Sequence, residues 1–186
     1  GNYKFTGLVP GNYFVTFAKP TGYDSFSPMD QGSDNTVDSD ADATSGQTAT
    51  TTLQSGDNDL TWDAGVYRYT CLNGLAWVDT NGNGIKDGSE SGLQDVSVSL
   101  YRKDDFGGVD VLKATATTDA NGAYSFSNLQ PGTYYVKFAK PSGTDYQFVI
   151  SSSGSDTKAT DLNGQTDPVT LTSGQPSCDG TLKAGL

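Results

Sequence analysis

Asp79, Asn81, Asn83, Asp87 and Glu90 occupy positions 1, 3, 5, 9 and 12 of the twelve-residue stretch DTNGNGIKDGSE. Oxygen side chains at that spacing are the ligand pattern of a calcium loop, in which the carbonyl of residue 7, here Ile85, supplies a further ligand. Gly84 falls at position 6, where such a loop turns sharply, and Glu90 is placed to bind through both of its oxygens. Three carboxylates and two amide oxygens suit a hard divalent cation, so Ca2+ is the expected cofactor. The competing reading is a polar Asn/Gly/Asp turn that binds nothing, because those residues also dominate ordinary turns. That reading needs the whole register and the terminal Glu to arise by chance.

The elements around the loop decide what kind of site it is. Leu75-Ala76-Trp77-Val78 precedes it and Val96-Ser97-Val98-Ser99-Leu100-Tyr101 follows it, and both read as strands. Gly88 and Gly92 also disfavour a helix at the exit. The sequence therefore predicts a calcium loop joining two strands of a β-sandwich, not a loop between helices.

Composition narrows the function. The chain has 186 residues, 22 acids against 11 bases, a net charge of −11 and no histidine. Such a charge repels phosphate backbones and anionic surfaces, so nucleic acid is a poor partner. Without histidine there is no Ser-His-Asp or Cys-His group, and the commonest zinc ligand is missing. An enzyme would depend on carboxylates alone, and every concentrated carboxylate cluster already fits a cation site or a solvated turn, so no enzyme is expected. No apolar run reaches the roughly 18 residues of a membrane span, so no membrane insertion is expected in this segment.

An internal repeat organises the chain. GNYKFTGLVPGNYFVTFAKPTG from Gly1 aligns without a gap on GAYSFSNLQPGTYYVKFAKPSG from Gly122, an offset of 121 residues. Two domains follow from it: 1–69 as the second half of a first sandwich repeat, and 70–186 as a complete second repeat carrying the calcium loop. The chain opens at Gly1 without a Met and reads as a piece of something longer. The half missing from the first repeat is expected upstream in a tandem chain, or else from strands of a neighbouring subunit.

In the complete repeat, strands are expected near Leu72–Val78, Asp95–Arg102, Val109–Thr117, Ala123–Ser127, Thr133–Ala139, Tyr146–Ser151, Pro168–Thr172 and Gly180–Ala184. Val96, Val98, Leu100 and Tyr134, Val136, Phe138 alternate with mostly polar residues, so one face is buried and the other wet. Short strands separated by turn signals such as Asn121-Gly122, Pro131-Gly132 and Asn163-Gly164 point to an all-β, Greek-key β-sandwich. Trp77, Val96, Val98, Leu100, Tyr124, Phe126, Leu129, Tyr134, Val136, Phe138, Phe148 and Ile150 form the expected core, each contributing about 1.5 to 3 kcal/mol if fully buried.

The pattern from Gly74 to Tyr101, followed by TDANGAYSFSNLQPGTYYVKF from Thr118 to Phe138, resembles the SD-repeat-protein B domain. That family is related to the collagen-adhesin B-type and prealbumin-like, Ig-like sandwiches of bacterial surface proteins. The resemblance spans nearly all of 72–186, and 1–66 is similar to its second half. It implies tandem, calcium-stiffened modules holding a binding head away from the cell, with Asp79, Asn81, Asn83, Ile85, Asp87 and Glu90 as ligands. It also implies a second cation site in an acidic turn, here Asp34, Asp38, Asp40 and Asp42. In the complete repeat the comparable stretch is Asp156, Asp161 and Asn163, which is poorer in carboxylates.

Cys71 and Cys178 bracket the complete repeat. In a secreted sandwich whose first and last strands are neighbours, a disulfide between them is expected, with free thiols or bonds between subunits as the alternatives. The leading expectation for function is a structural segment of an extracellular bacterial stalk, adhesin or filament. Its partners would be neighbouring repeats of the chain or identical subunits, and host or surface ligands would be reached through other domains. The alternatives are a carbohydrate- or protein-binding module, using loops such as 104–109 or 31–47, and a self-assembling filament subunit completed by a neighbour's strands.

Overall fold

The structure, a computed structural model, describes residues 1–31, 33–150 and 163–186. They carry strands and turns and no helix, so none is present among them to cross a membrane. The chain divides into two compact units, Gly1–Arg68 and Tyr69–Leu186.

Among its described residues the first unit holds four short strands: β1 (Gly11–Tyr13), β2 (Ser25–Phe26), β3 (Thr51–Leu53) and β4 (Val66–Tyr67). They pair antiparallel as β1 with β3 and β2 with β4.

The second unit holds β5 (Thr70–Trp77), β6 (Ser97–Arg102), β7 (Val111–Thr117), β8 (Ala123–Leu129), β9 (Gly132–Ala139), β10 (Val169–Leu171) and β11 (Ala184–Gly185). One sheet has the order β10-β9-β6-β7 and the other β11-β5-β8. Every pair is antiparallel except β11 with β5, which run parallel. This is the β-sandwich that the alternating sequence calls for. Val98 and Leu100 of β6 sit opposite Phe138 and Val136 of β9, and all four are buried. Leu72, Ala76, Tyr124, Phe126 and Leu129 from the other sheet complete the core with Leu171, Leu182 and Leu186. The polar residues between them face outward. There Tyr101 and Tyr135 stack at 5.2 Å, with the Lys137 ammonium 5.1 Å from the Tyr101 ring centre.

Three details differ from the sequence expectation. Of the strand expected at Tyr146–Ser151, Ser151 lies outside the described residues and 146–150 form no strand: Phe148 is buried, and Val149 N–H donates to Gly185 O at 2.9 Å. Ile150 lies outside the core at 47% exposed. The strand expected at Gly180–Ala184 shrinks to Ala184–Gly185, because the chain before it runs beside β5 through the bridge Leu72↔Asp179.

That bridge explains the cysteines. Asp179 N–H donates to Cys71 O at 3.1 Å and Asn73 N–H to Asp179 O at 2.8 Å, which brings Cys178 to Cys71. They form a disulfide with Cα atoms 4.6 Å apart, spanning 107 residues of sequence.

Leu100→Ala is expected to cost the second unit about 2 to 5 kcal/mol in urea unfolding, as a buried Leu truncation. Phe5→Ala, at a side chain 63% exposed, is expected to stay within about 0.5 kcal/mol. Reducing the disulfide is expected to cost about 2 to 5 kcal/mol, read as a shift of the same unfolding transition.

Candidate cation site

The loop from Asp79 to Glu90 begins just past β5, and its ends are zipped together. Val78 N–H donates to Ser91 O at 3.0 Å, and Trp77 bridges Gly92. Gly92 is needed for the close approach that follows, since a Cβ there would lie 1.9 Å from Asn121 O. Leu186 pins the other side: Asp79 N–H donates to Leu186 O at 2.9 Å, and Leu186 N–H to Trp77 O at 3.0 Å. The loop is thus fastened to the sandwich at both of its ends.

Within the loop, the side chains at positions 1 and 12 are buried, Asp79 at 8% and Glu90 at 6% exposed. Asp79 Oδ1 accepts from the N–H of Gly82 at 2.8 Å and Asn83 at 3.3 Å, and Oδ2 from that of Gly84 at 2.7 Å. Gly84 has φ +75°, the left-handed conformation the tight turn requires. Glu90 reaches back across the ring. Its Oε1 accepts from Thr80 N–H at 2.8 Å, and its Oε2 from Asp87 N–H at 3.1 Å. Asp87 Oδ2 accepts from the side-chain amides of Asn81 at 2.9 Å and Asn83 at 3.1 Å. The Asn81 and Asn83 oxygens accept from the N–H groups of Asn83 and Ile85. Lys86 donates to the carbonyls of Asp87 and Glu90.

The structure thus gathers Asp79, Asn81, Asn83, Asp87 and Glu90 into one hydrogen-bonded ring, with the Ile85 side chain exposed. The donor set fits a hard cation, being oxygen throughout with neither sulfur nor imidazole. Asp79 Oδ1 and Asp87 Oδ2 each accept two N–H groups, which occupies both of their lone-pair sites. The ring is closed on itself. The two amides turn nitrogen first to Asp87, and among the described residues no group of three or more acidic, His or Cys side chains converges as a metal site.

The acidic turn of the first unit is arranged differently from the sequence grouping. Asp34 and Asp42 are used locally. Asp34 Oδ1 accepts from Thr36 N–H and Oγ1, and Asp42 Oδ1 from Thr44 N–H and from Ser45 N–H and Oγ. These bonds hold both carboxyls below the usual range. Asp40 turns instead toward Asp63, with Asp38 and Asp30 also near its carboxyl. Asp40 is buried and its Oδ2 accepts from Asp63 N–H at 2.7 Å, while Asp38 Oδ1 is enclosed without a hydrogen-bond partner. Burial pushes the Asp40 carboxyl up, with Asp38, Asp30 and Asp63 adding repulsion and the Asp63 N–H opposing it. Asp30 and Asp63 were not grouped with this turn by sequence reasoning, because they lie eight or more residues from Asp38. Of the counterpart stretch, Asp156 and Asp161 lie outside the described residues, and Lys183 replaces Asp63.

The sequence model of a family described as "SdrD B-like domain" matches residues 1–66 and 71–186. Over 183 residues the chain is 41% identical to serine-aspartate repeat-containing protein D of Staphylococcus aureus strain Newman, covering 94% of this chain and 13% of that protein. Over 174 residues it is 38% identical to serine-aspartate repeat-containing protein F of Staphylococcus epidermidis strain ATCC 12228, covering 92% of this chain and 10% of that protein. The chain therefore spans a small part of these relatives. Among solved structures, a streptococcal ancillary pilin is similar at TM-score 0.40 and 16% identity, over 96% of this chain and 42% of that one. The minor pilin GBS52 of Streptococcus agalactiae is similar at TM-score 0.41 and 15% identity, over 76% of this chain and 64% of that one.

Asp79→Ala removes the acceptor of three backbone N–H groups and is expected to cost the second unit about 1 to 3 kcal/mol even in cation-free buffer, read by urea unfolding. For Asp40 the folded pKa lies above the unfolded one. Its contribution to stability is therefore full below the unfolded carboxylate pKa and is lost as pH rises through the folded value. In cation-free buffer, Asp40→Asn is expected to raise the unfolding midpoint of the first unit at pH 7 and to flatten its dependence on pH.

Proposed function

The chain belongs to the SdrD B-like domain family, and from that premise we propose that it is a calcium-stiffened segment of a bacterial surface protein. It is a structural repeat and not an enzyme. Residues 1–69 supply the second half of one B-type repeat, and 70–186 a complete one. The segment works outside the cell, in a surface stalk, adhesin or filament, next to neighbouring repeats or identical subunits. Host or surface ligands are met by other domains.

The observation that carries the calcium reading is the placement of Asp79 and Glu90. Both are buried carboxylates, they stand at the two ends of one loop, and that loop is fastened to β5 and to Leu186. Three carboxylates within twelve residues repel one another, and a divalent cation among them removes that cost. Asp79, Asn81, Asn83, Asp87 and Glu90 would hold it through side-chain oxygens and Ile85 through its carbonyl. Calcium supplies charge neutralisation and cross-linking there, with no reaction chemistry. A loop tied in this way cannot swing independently of the sandwich, and that is the property a load-bearing spacer needs.

Calcium in the extracellular range of about 10⁻⁴ to 10⁻³ M is expected to raise the melting temperature of the second unit and to protect the loop from proteolysis. Stabilisation of about 2.7 kcal/mol is expected once calcium reaches 100 times its Kd. EDTA reverses the effect, and Asp79→Ala abolishes it. A melting temperature indifferent to calcium and EDTA would remove the mechanism.

A further inference from the structure

The disulfide joins the two sides of the second unit, which runs from Tyr69 to Leu186. Only residues 69–70 precede the bridge and only 179–186 follow it. The separation of 107 residues between Cys71 and Cys178 encloses most of β5, the cation loop and β6 to β10. The segment after Cys178 lies along β5 and runs parallel to it, with Asp179 bridging Leu72, and Ala184 and Gly185 opposite Ala76 and Trp77. Asp179 N–H to Cys71 O, Asn73 N–H to Asp179 O, Leu186 N–H to Trp77 O and Asp79 N–H to Leu186 O close this seam.

Because the two strands are parallel, tension applied at Tyr69 and Leu186 pulls them in opposite senses along one axis. The hydrogen bonds of the seam then meet the load in shear, and each of them is weak beside a covalent bond. The disulfide crosses the same seam where the tension enters, one residue before Leu72. The turn that carries Cys178 does not depend on a cysteine. Asp59 and Asp179, 120 residues apart, each accept through Oδ1 the N–H and Oγ1 of the Thr two residues on. The residue before them is Asn58 in the first unit and Cys178 in the second, and both cysteines of the chain belong to the second unit.

We propose that the Cys71–Cys178 bond is a covalent load bypass for the second unit. Under tension the seam opens first and 179–186 slides off β5. The load then passes from Cys71 straight to Cys178, and residues 72–177 carry none of it. The sandwich core and the cation loop are kept out of the loaded path, so the unit lengthens only by its short outer segments. Without the bond, loss of the seam would pass the tension into β5 and from there through the core strands in turn. The inference rests on reading the chain as a load-bearing segment, but not on calcium.

The test pulls the full chain, tethered through peptide tags at both ends, in single-molecule force spectroscopy. With the disulfide intact, the second unit is expected to lengthen by at most about 36 Å, the stretch of 69–70 and 179–186. With the phosphine reductant TCEP present, a further step of about 350 to 390 Å is expected as the enclosed span of 107 residues pays out. Lengthening of the first unit is common to both states and cancels in the comparison. The variant C71A/C178A is expected to give the long step without reductant, with circular dichroism showing beforehand that its strands have formed. The oxidised measurement needs no variant. A long step from the second unit in the oxidised chain overturns the proposal. Equal lengthening with and without the bond also overturns it, because the seam and core then bear the tension alone. Calcium and EDTA are expected to leave the step lengths unchanged and to move only the force at which the reduced unit yields, so a failure of the stiffening is read separately.

Discussion

An apolar sheet face has to be covered, and in the second unit the inner row of β6 helps to do it. Val98 and Leu100 stand opposite Phe138 and Val136 within one sheet, and together these four give the β5-β8 sheet something to pack against. With them in place Tyr124 and Phe126 are buried, 4% and 6% exposed. Burial of a large aromatic is decided less by the aromatic than by what lies across the core.

The loop depends on that sandwich for its shape. Its ends are set by main-chain bonds to Ser91 and Leu186, and its turn by Gly84. The carboxylates of Asp79 and Glu90 then organise the backbone inside it. Asp79 collects three N–H groups and Glu90 ties residue 80 to residue 87. A ring satisfied in this way holds its donors close to one another, and a proposed cation adds to an arrangement that the chain has already drawn together. The disulfide works from the far end of β5, where Cys178 is brought beside Cys71 by the parallel run at Asp179. The two fastenings bracket β5, one before its middle and one past its end.

Much of this was legible in the residues. Strict alternation in 96–100 and 134–138 gave two core strands, and the D-x-N-x-N-G-x-x-D-x-x-E register gave a loop from Asp79 to Glu90 between strands, whose buried ends only the structure showed. The offset of 121 gave the half repeat. Segments without a strong period were less legible. Tyr146–Ser151 looks like a strand by composition, yet its described residues 146–150 form none, and Ile150 stays 47% exposed. The grouping of Asp34 and Asp42 with Asp38 and Asp40 failed to anticipate their neighbours, because proximity in sequence favours local turns. Asp30 and Asp63 arrive through chain crossings that no spacing encodes.

The sequence by itself determined the fold class, the place of the Asp79–Glu90 loop between β5 and β6, and the repeat, because each is a local or periodic pattern that backbone geometry reads directly. Tertiary structure alone decided the rest: whether an aromatic row is core or surface, which carboxylates meet, and where the loop is fastened. Those depend on residues distant in sequence coming into contact, and a contact of that kind is set by the packing of whole sheets, not by any one segment.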